Sequence, residues 1–284
     1  MVRKNQDRTG PRSSGSDEIP ADLKEQMTNP MDFITPTDHV DLPSLGKSYP
    51  EGHPLCGEDS IEIRYMTAKE EDILTSRSLL KKGVAIDRLI SNLIMDKRID
   101  SKSLFIGDRN AIIINARSSA YGHIYKTMVT CPNCNSSEPH SFDLTKPKVY
   151  HGDEWEDHEI EQTERGTYKV TLPYTKVIAE IRLLVGADEE RIVKSLTKTK
   201  QDEVGSLITN QMRSFIVSVN GYEERKVVEY FIQNMMAQES RFLRNVMKVI
   251  TPDLKISDDF ECASCSHEQE LEVPFGADFF WPDR

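Results

Sequence analysis

The chain has 284 residues, a formal net charge of −11, 37 % hydrophobic residues and 29 % charged ones. This composition fits a globular protein and argues against broad nucleic-acid binding, which needs Lys and Arg to neutralise phosphates. No apolar run nears the roughly 18 residues of a membrane span, and no apolar segment follows Met1 to Gln6 as a secretory signal requires. Neither nucleic acid nor membrane is therefore an expected partner.

Residues 1–30 are polar, with Gly10, Pro11, Gly15 and Pro20, and read as a disordered tail whose Arg3, Lys4, Arg8 and Arg12 are solvated. Residues 31–57 place Pro36, Pro43, Pro50 and Pro54 among Phe33, Ile34, Val40, Leu42, Leu45 and Tyr49. Proline fixes φ and lacks a donor, so an extended arm is expected that wraps its own domain or lies along a partner. Residues 58–145 begin with the alternating strand Ile61 to Tyr65. Thr67 and Glu70 have capping-box spacing, and the helix they open ends at Gly83. A second helix starts near Ile86, and Asp108 is placed to cap a third that ends near Gly122.

Residues 146–257 open with an acidic run from Asp153 to Glu164, with His151 just before it and His158 within it, read as solvated surface. Thr167 to Leu172 and Val177 to Leu184 read as a hairpin around Pro173. Helices are expected over 188–196, 204–219, 222–236 and 239–250, with apolar residues at helical spacing. Residues 258–284 hold a last hairpin and the aromatic run Phe275, Phe279, Phe280 and Trp281, which packs on the body or on a neighbour.

Four of the five cysteines form two C-x-x-C turns, Cys131–Cys134 and Cys262–Cys265, each beside alternating apolar residues that read as strands. Two such turns facing each other supply four thiolates in a tetrahedron, the ligand set of a structural Zn2+ with no open position for water. A redox dithiol and two unrelated thiol pairs are the competing readings, although redox motifs open a helix in a βαβ setting. A zinc-ribbon nucleic-acid binder is a third, opposed by Asp258, Asp259, Glu261, Glu268, Glu270 and Glu272 around the second pair. Cys56 reads as a packing residue. Phosphate loops, nucleophile elbows and metalloprotease motifs are missing from the sequence, so no catalytic residue is nominated and no enzyme is expected.

Several segments together resemble a known family. They are Leu42 to Pro50 (LPSLGKSYP), Arg64 to Leu74 (RYMTAKEEDIL), Gly107 to Asn110 with Arg117 and Tyr121–Gly122, and Phe275 to Pro282 (FGADFFWP). In order and combination they are similar to the baseplate hub and hub-assembly proteins of T-even-like contractile-tailed bacteriophages. The resemblance implies a hub component or assembly chaperone that contacts other baseplate hub proteins. Its place would be the virion tail baseplate or the host cytoplasm during assembly. The expected fold class is α+β: a mainly helical body with short antiparallel strands and a four-cysteine, zinc-ribbon-like site.

Overall fold

The computed structural model of the chain describes residues 35–155, 159–198, 207–273, 275 and 277–280. The tail expected over 1–30 lies outside the described residues, as do the start of the arm, residues 156–158 of the acidic run, and Trp281 with Pro282. Helix accounts for 35 % and strand for 27 %, so the α+β body is not mainly helical.

Strand β1 (Thr37–Asp41) pairs antiparallel with β2 (Ser60–Arg64). The first part of the loop between them is internal packing: Leu42, Ser44, Ser48 and Tyr49 are all buried. Its sharp turn needs Gly46, which has φ +68° and whose missing Cβ would lie 2.5 Å from the Glu58 backbone. The capping box at Thr67 and Glu70 opens α1 (Ala68–Thr75). The helix expected to run on to Gly83 breaks at Ser76, whose ψ of 105° is extended, and resumes as α2 (Arg77–Lys81). Then follow α3 (Ala85–Leu93) and the long α4 (Ile106–Tyr121).

The chain continues as hairpin β3 (Ile124–Thr130) and β4 (Ser137–Asp143), β5 (Lys148–Tyr150), β6 (Ile160–Gln162), β7 (Thr167–Thr171) and β8 (Ile178–Arg182). Helices α5 (Gly186–Lys198) and α6 (Leu207–Phe215) lead to β9 (Ile216–Val219). Helices α7 (Arg225–Asn234) and α8 (Ala237–Ile250) precede β10 (Asp253–Lys255) and the hairpin β11 (Ser257–Glu261) and β12 (Glu268–Glu272). A 3-10 turn, Ala277–Phe280, follows.

Among the described residues the strands form one four-stranded antiparallel sheet, β6-β7-β8-β9, and four two-stranded ones. The helix expected over 204–219 is overturned in its last four residues. Ile216-Val217-Ser218-Val219 is mostly β-branched, which favours a pleated surface, and it pairs with β8. Strand β5 pairs with β10 about a hundred residues away, and three residues are too few to show alternation.

Helix α4 runs through the main apolar cluster, which extends from Val40 to Phe280, with Ala111, Ile112, Ile113, Ile114 and Ala116 buried. Its first turn packs so closely on β10 that a Cβ on Gly107 would sit 2.3 Å from the Pro252 carbonyl oxygen. Further along, Asn115 Nδ2 donates to Asp38 Oδ2 (3.1 Å) and Arg117 Nε to the Phe279 carbonyl (3.3 Å). Phe279 and Phe280 are buried, with Phe279 against Tyr125 at 5.0 Å between ring centres. Leu42, Tyr49 and Leu55 of the arm, with Phe279 and Phe280 of the aromatic run, are thus part of the protein's own core.

Four fully buried carboxylates share one position, the third residue of a helix: Glu70 in α1, Asp108 in α4, Asp188 in α5 and Glu239 in α8. Negative charge is favoured there by the helix dipole, and each carboxylate also takes donors from a preceding segment. Asp108, placed by sequence at the cap, lies three residues after the N-cap Phe105. It accepts from the Ser44 amide (3.0 Å), the Ser44 hydroxyl (2.7 Å) and the Tyr49 hydroxyl (2.8 Å). Glu70 takes both ends of the Arg64 guanidinium (2.6 and 3.0 Å), and Asp188 likewise holds Arg182 (2.7 and 2.8 Å). Glu239 Oε1 accepts from the amide and hydroxyl of Thr175 in the β7–β8 turn (2.7 and 2.8 Å).

Replacing Asp108 by Ala leaves three buried donors without their acceptor and is expected to cost about 3 kcal/mol. A lower urea midpoint at unchanged slope is the measurement. Glu70 gives a pH signature. Burial alone would raise its pKa, but Arg64 and Thr67 outweigh burial and hold it at about 2. A depressed carboxylate stabilises the fold above its ordinary value of 4.5, and that contribution is lost as pH falls toward about 2. In Glu70→Gln the acid limb of unfolding free energy against pH should flatten by about 2 kcal/mol. Asp108 acts oppositely: burial raises its pKa despite its donors, so its contribution is greatest in acid and is lost as pH rises through the folded pKa.

Candidate metal centre

The two C-x-x-C turns are built alike. Each begins where a β-strand ends, and each has its closing bonds in the same places. The Cys131 amide donates to the Ser136 carbonyl (2.9 Å) and the Asn135 amide to the Cys131 carbonyl (2.9 Å). In the second turn the Cys262 amide donates to the His267 carbonyl (3.0 Å) and the Ser266 amide to the Cys262 carbonyl (2.8 Å). The residue after each second cysteine is left-handed, Asn135 at φ 58° and Ser266 at φ 52°. Asn tolerates that region well, and a short polar side chain eases it for Ser.

The two hairpins stack face to face. Tyr125, Thr127 and Val129 of β3, with Glu138, His140 and Phe142 of β4, share the inward side, where Phe260 and Asp258 of β11 meet them. His140 lies edge-on to Phe142 and Phe260, at 4.7 and 5.7 Å between ring centres. A small apolar cluster of Cys131, Phe260 and Cys262, with Val129 and Leu271, closes the stack beneath the turns. Across the turns, the Ala263 amide donates to the Glu138 carboxylate at 3.1 Å.

This stacking brings Cys131, Cys134, Cys262 and Cys265 together, with all four sulfurs within 4.8 Å of one another. The cross-hairpin contacts are 3.7 Å for Cys131–Cys265 and 3.6 Å for Cys134–Cys262. A metal–thiolate bond of about 2.3 Å in a tetrahedron implies sulfur spacings of about 3.8 Å. The four thiols therefore fit a single metal ion held by sulfur alone. All are free thiols, the first of each pair buried and the second reaching outward. The Ser136 hydroxyl and amide pull the Cys134 thiol well below the usual thiol range. Asn133 Nδ2 donates to Cys265 Sγ at 3.5 Å. Asn133, Ser136 and Glu138 were not singled out from sequence; only the short polar residues inside and just after the first C-x-x-C hinted at such support. Cys56 is exposed and lies outside the cluster. His151 instead bonds the Pro43 carbonyl (2.9 Å), and His158 lies outside the described residues.

The outer face of β11–β12 carries Asp259, Glu261, Glu268, Glu270 and Glu272, all exposed, with Asp259 opposite Glu270 and Glu261 opposite Glu268. Only Lys148 and Lys255 pair with this face, through Glu270 and Glu272, among the described residues. Such a surface repels phosphates.

The family model for T4 bacteriophage base plate proteins matches residues 35–281. The chain belongs to the T4 bacteriophage base plate protein family. No curated protein and no solved structure matches it. The match spans both cysteine pairs of this base plate protein and the helix α4 between the arm and the cysteine hairpins. Among the described residues, no helix is long and apolar enough to cross a membrane.

In the metal-loaded base plate protein, one thiol, Cys56, should react at once with an aromatic disulfide reagent. The other four should react only after a chelator is added. Five promptly reactive thiols would show that the cluster holds no metal.

Proposed function

We propose that this base plate protein is a hub component or hub-assembly chaperone that acts through protein–protein contacts rather than catalysis, with a structural zinc on Cys131, Cys134, Cys262 and Cys265. The observation that carries the reading is the cysteine cluster inside a base plate family chain. Four sulfur ligands in tetrahedral spacing suit zinc and leave no open position for a reacting water. The metal's role is to lock the two hairpins, and so to hold the elements between residues 134 and 262 in one pose. The acidic hairpin face supports a role without nucleic acid. Partners are other base plate hub proteins, met in the virion tail or in the host cytoplasm during assembly. With the arm and Phe279–Phe280 buried, the contact surfaces are sought elsewhere. Tyr174, Tyr222 and Tyr230 are 60, 58 and 71 % exposed, and large exposed tyrosines are a residue type enriched at interfaces.

Quantitative mass spectrometry of purified tails against infected-cell lysate tests the reading. A hub component is expected in tails at a fixed ratio to other base plate proteins, and a chaperone in lysate alone. Absence from both rejects the reading. Elemental analysis should find one zinc per chain, lost in Cys131→Ser together with a lower melting temperature; an unchanged melting temperature without zinc rejects the structural role.

A further inference from the structure

The two metal hairpins present four sheet edges, and three of them are closed to further strands. The register of β3 on β4, with the Cys131 amide on Ser136 and the Leu144 amide on the His123 carbonyl, turns the backbone of odd-numbered β3 residues toward β4. The backbone groups of Ser137, Pro139, Ser141 and Asp143 therefore point out of β4, and Pro139 has no N–H to offer there. By the same reasoning, the outward positions of β11 carry Asp259 and Glu261, and those of β12 carry Glu268, Glu270 and Glu272. Prolines and like charges on edges are devices that stop strand addition.

Edge β3 differs. Its outward backbone belongs to Ile124, Lys126, Met128 and Thr130, and none of these N–H and C=O groups has a hydrogen-bond partner among the described residues. Neither proline nor carboxylate stands on the strand. Ile124 and Met128 are 52 and 61 % exposed, on the face turned away from the core. A seven-residue open edge with exposed apolar side chains is a template for another strand.

We propose that β3 pairs antiparallel with β3 of a second copy of this chain, about a two-fold axis through Thr127. In that register Lys126 stands opposite Met128 of the other copy and Ile124 opposite Thr130, so every outward N–H and C=O of both strands is paired. The intervening positions set Thr127 against Thr127 and Tyr125 against Val129, a threonine pair and an aromatic–β-branched pair of the favourable kinds. The one charge, Lys126, faces the apolar Met128 and not its own copy. In this register no carboxylate of β3 is set against another, since the strand carries none. The result is a continuous sheet in the order β4-β3-β3-β4, isologous as closed dimers require.

The test uses the full-length, metal-loaded protein. Sedimentation over a range of concentrations should show a shift to twice the chain mass. Amide exchange resolved by residue should slow with concentration at Lys126, Met128 and Thr130, while Thr127 and Val129, already bonded to β4, stay unchanged. Met128→Lys places two ammonium groups opposite each other and should abolish the dimer without moving the melting temperature. Adding Lys126→Glu to that variant should restore it. A monomer at every concentration, a dimer indifferent to Met128→Lys, or no recovery in the double variant overturns the proposal. Slowing of the edge amides only when purified tails are added also overturns it, because the added strand then comes from another protein. If Met128→Lys misfolds, the alternating exchange pattern of the unmodified chain still decides.

Discussion

The buried carboxylate of Asp108 governs how the two halves of this fold meet. It sits in the first turn of α4, where the helix amides favour negative charge, and it takes three donors from the loop between β1 and β2. Tyr49, one of those donors, also accepts from the Phe105 amide at the helix start (3.1 Å) and stacks on Phe105 at 4.2 Å. Helix start and loop are therefore mutually satisfied. Neither can leave without stranding polar groups in an apolar interior. The same construction recurs at Glu70, Asp188 and Glu239. A fold made of short helices and mostly two-stranded sheets has few long repetitive surfaces, and helix-terminal carboxylates join elements that apolar contact alone would leave loosely registered.

The cysteine hairpins solve a related problem. A lone two-stranded hairpin is at best marginally stable in water. Here one hairpin leaves α4 and the other follows β10, more than a hundred residues later. Their shared apolar cluster is small, limited to Val129, Leu271, Phe260 and the cysteines themselves. Four sulfurs on one ion would fix the relative pose that so few apolar atoms cannot. The identical turn geometry, with a left-handed residue after each C-x-x-C, is what aims all four sulfurs at a common centre.

How much of this was legible from sequence depended on the range of the signal. The cysteine pairs were readable because their spacing is local and repeated, and so was the capping box at Thr67 and Glu70. The mainly helical body was not upheld, because β5, β6 and β10 are only three residues long, and β5 and β10 find each other about a hundred residues apart. Strand β9 was missed for another reason: Ile216 and Val219 continue the apolar spacing of α6, and periodicity masked the β-branched composition. Asp108 carried a helix-start signal, but its depth in the core follows from Ser44 and Tyr49 folding back on it. The proline-rich loop left two destinations open, and burial of Leu42 and Tyr49 decides for the inner one. Resemblance to base plate proteins rested on order and combination, and the family match covers that same stretch.

Asn115 and Arg117 lie two residues apart on α4, yet one holds β1 through Asp38 and the other holds the Phe279 carbonyl. The first and last segments of the described fold are thus anchored within about 3 Å of helix axis. Tension applied between Thr37 and Phe280 would be borne in part as shear across half a turn of α4. In mechanical terms α4 is the clasp between the first and last segments of the described fold.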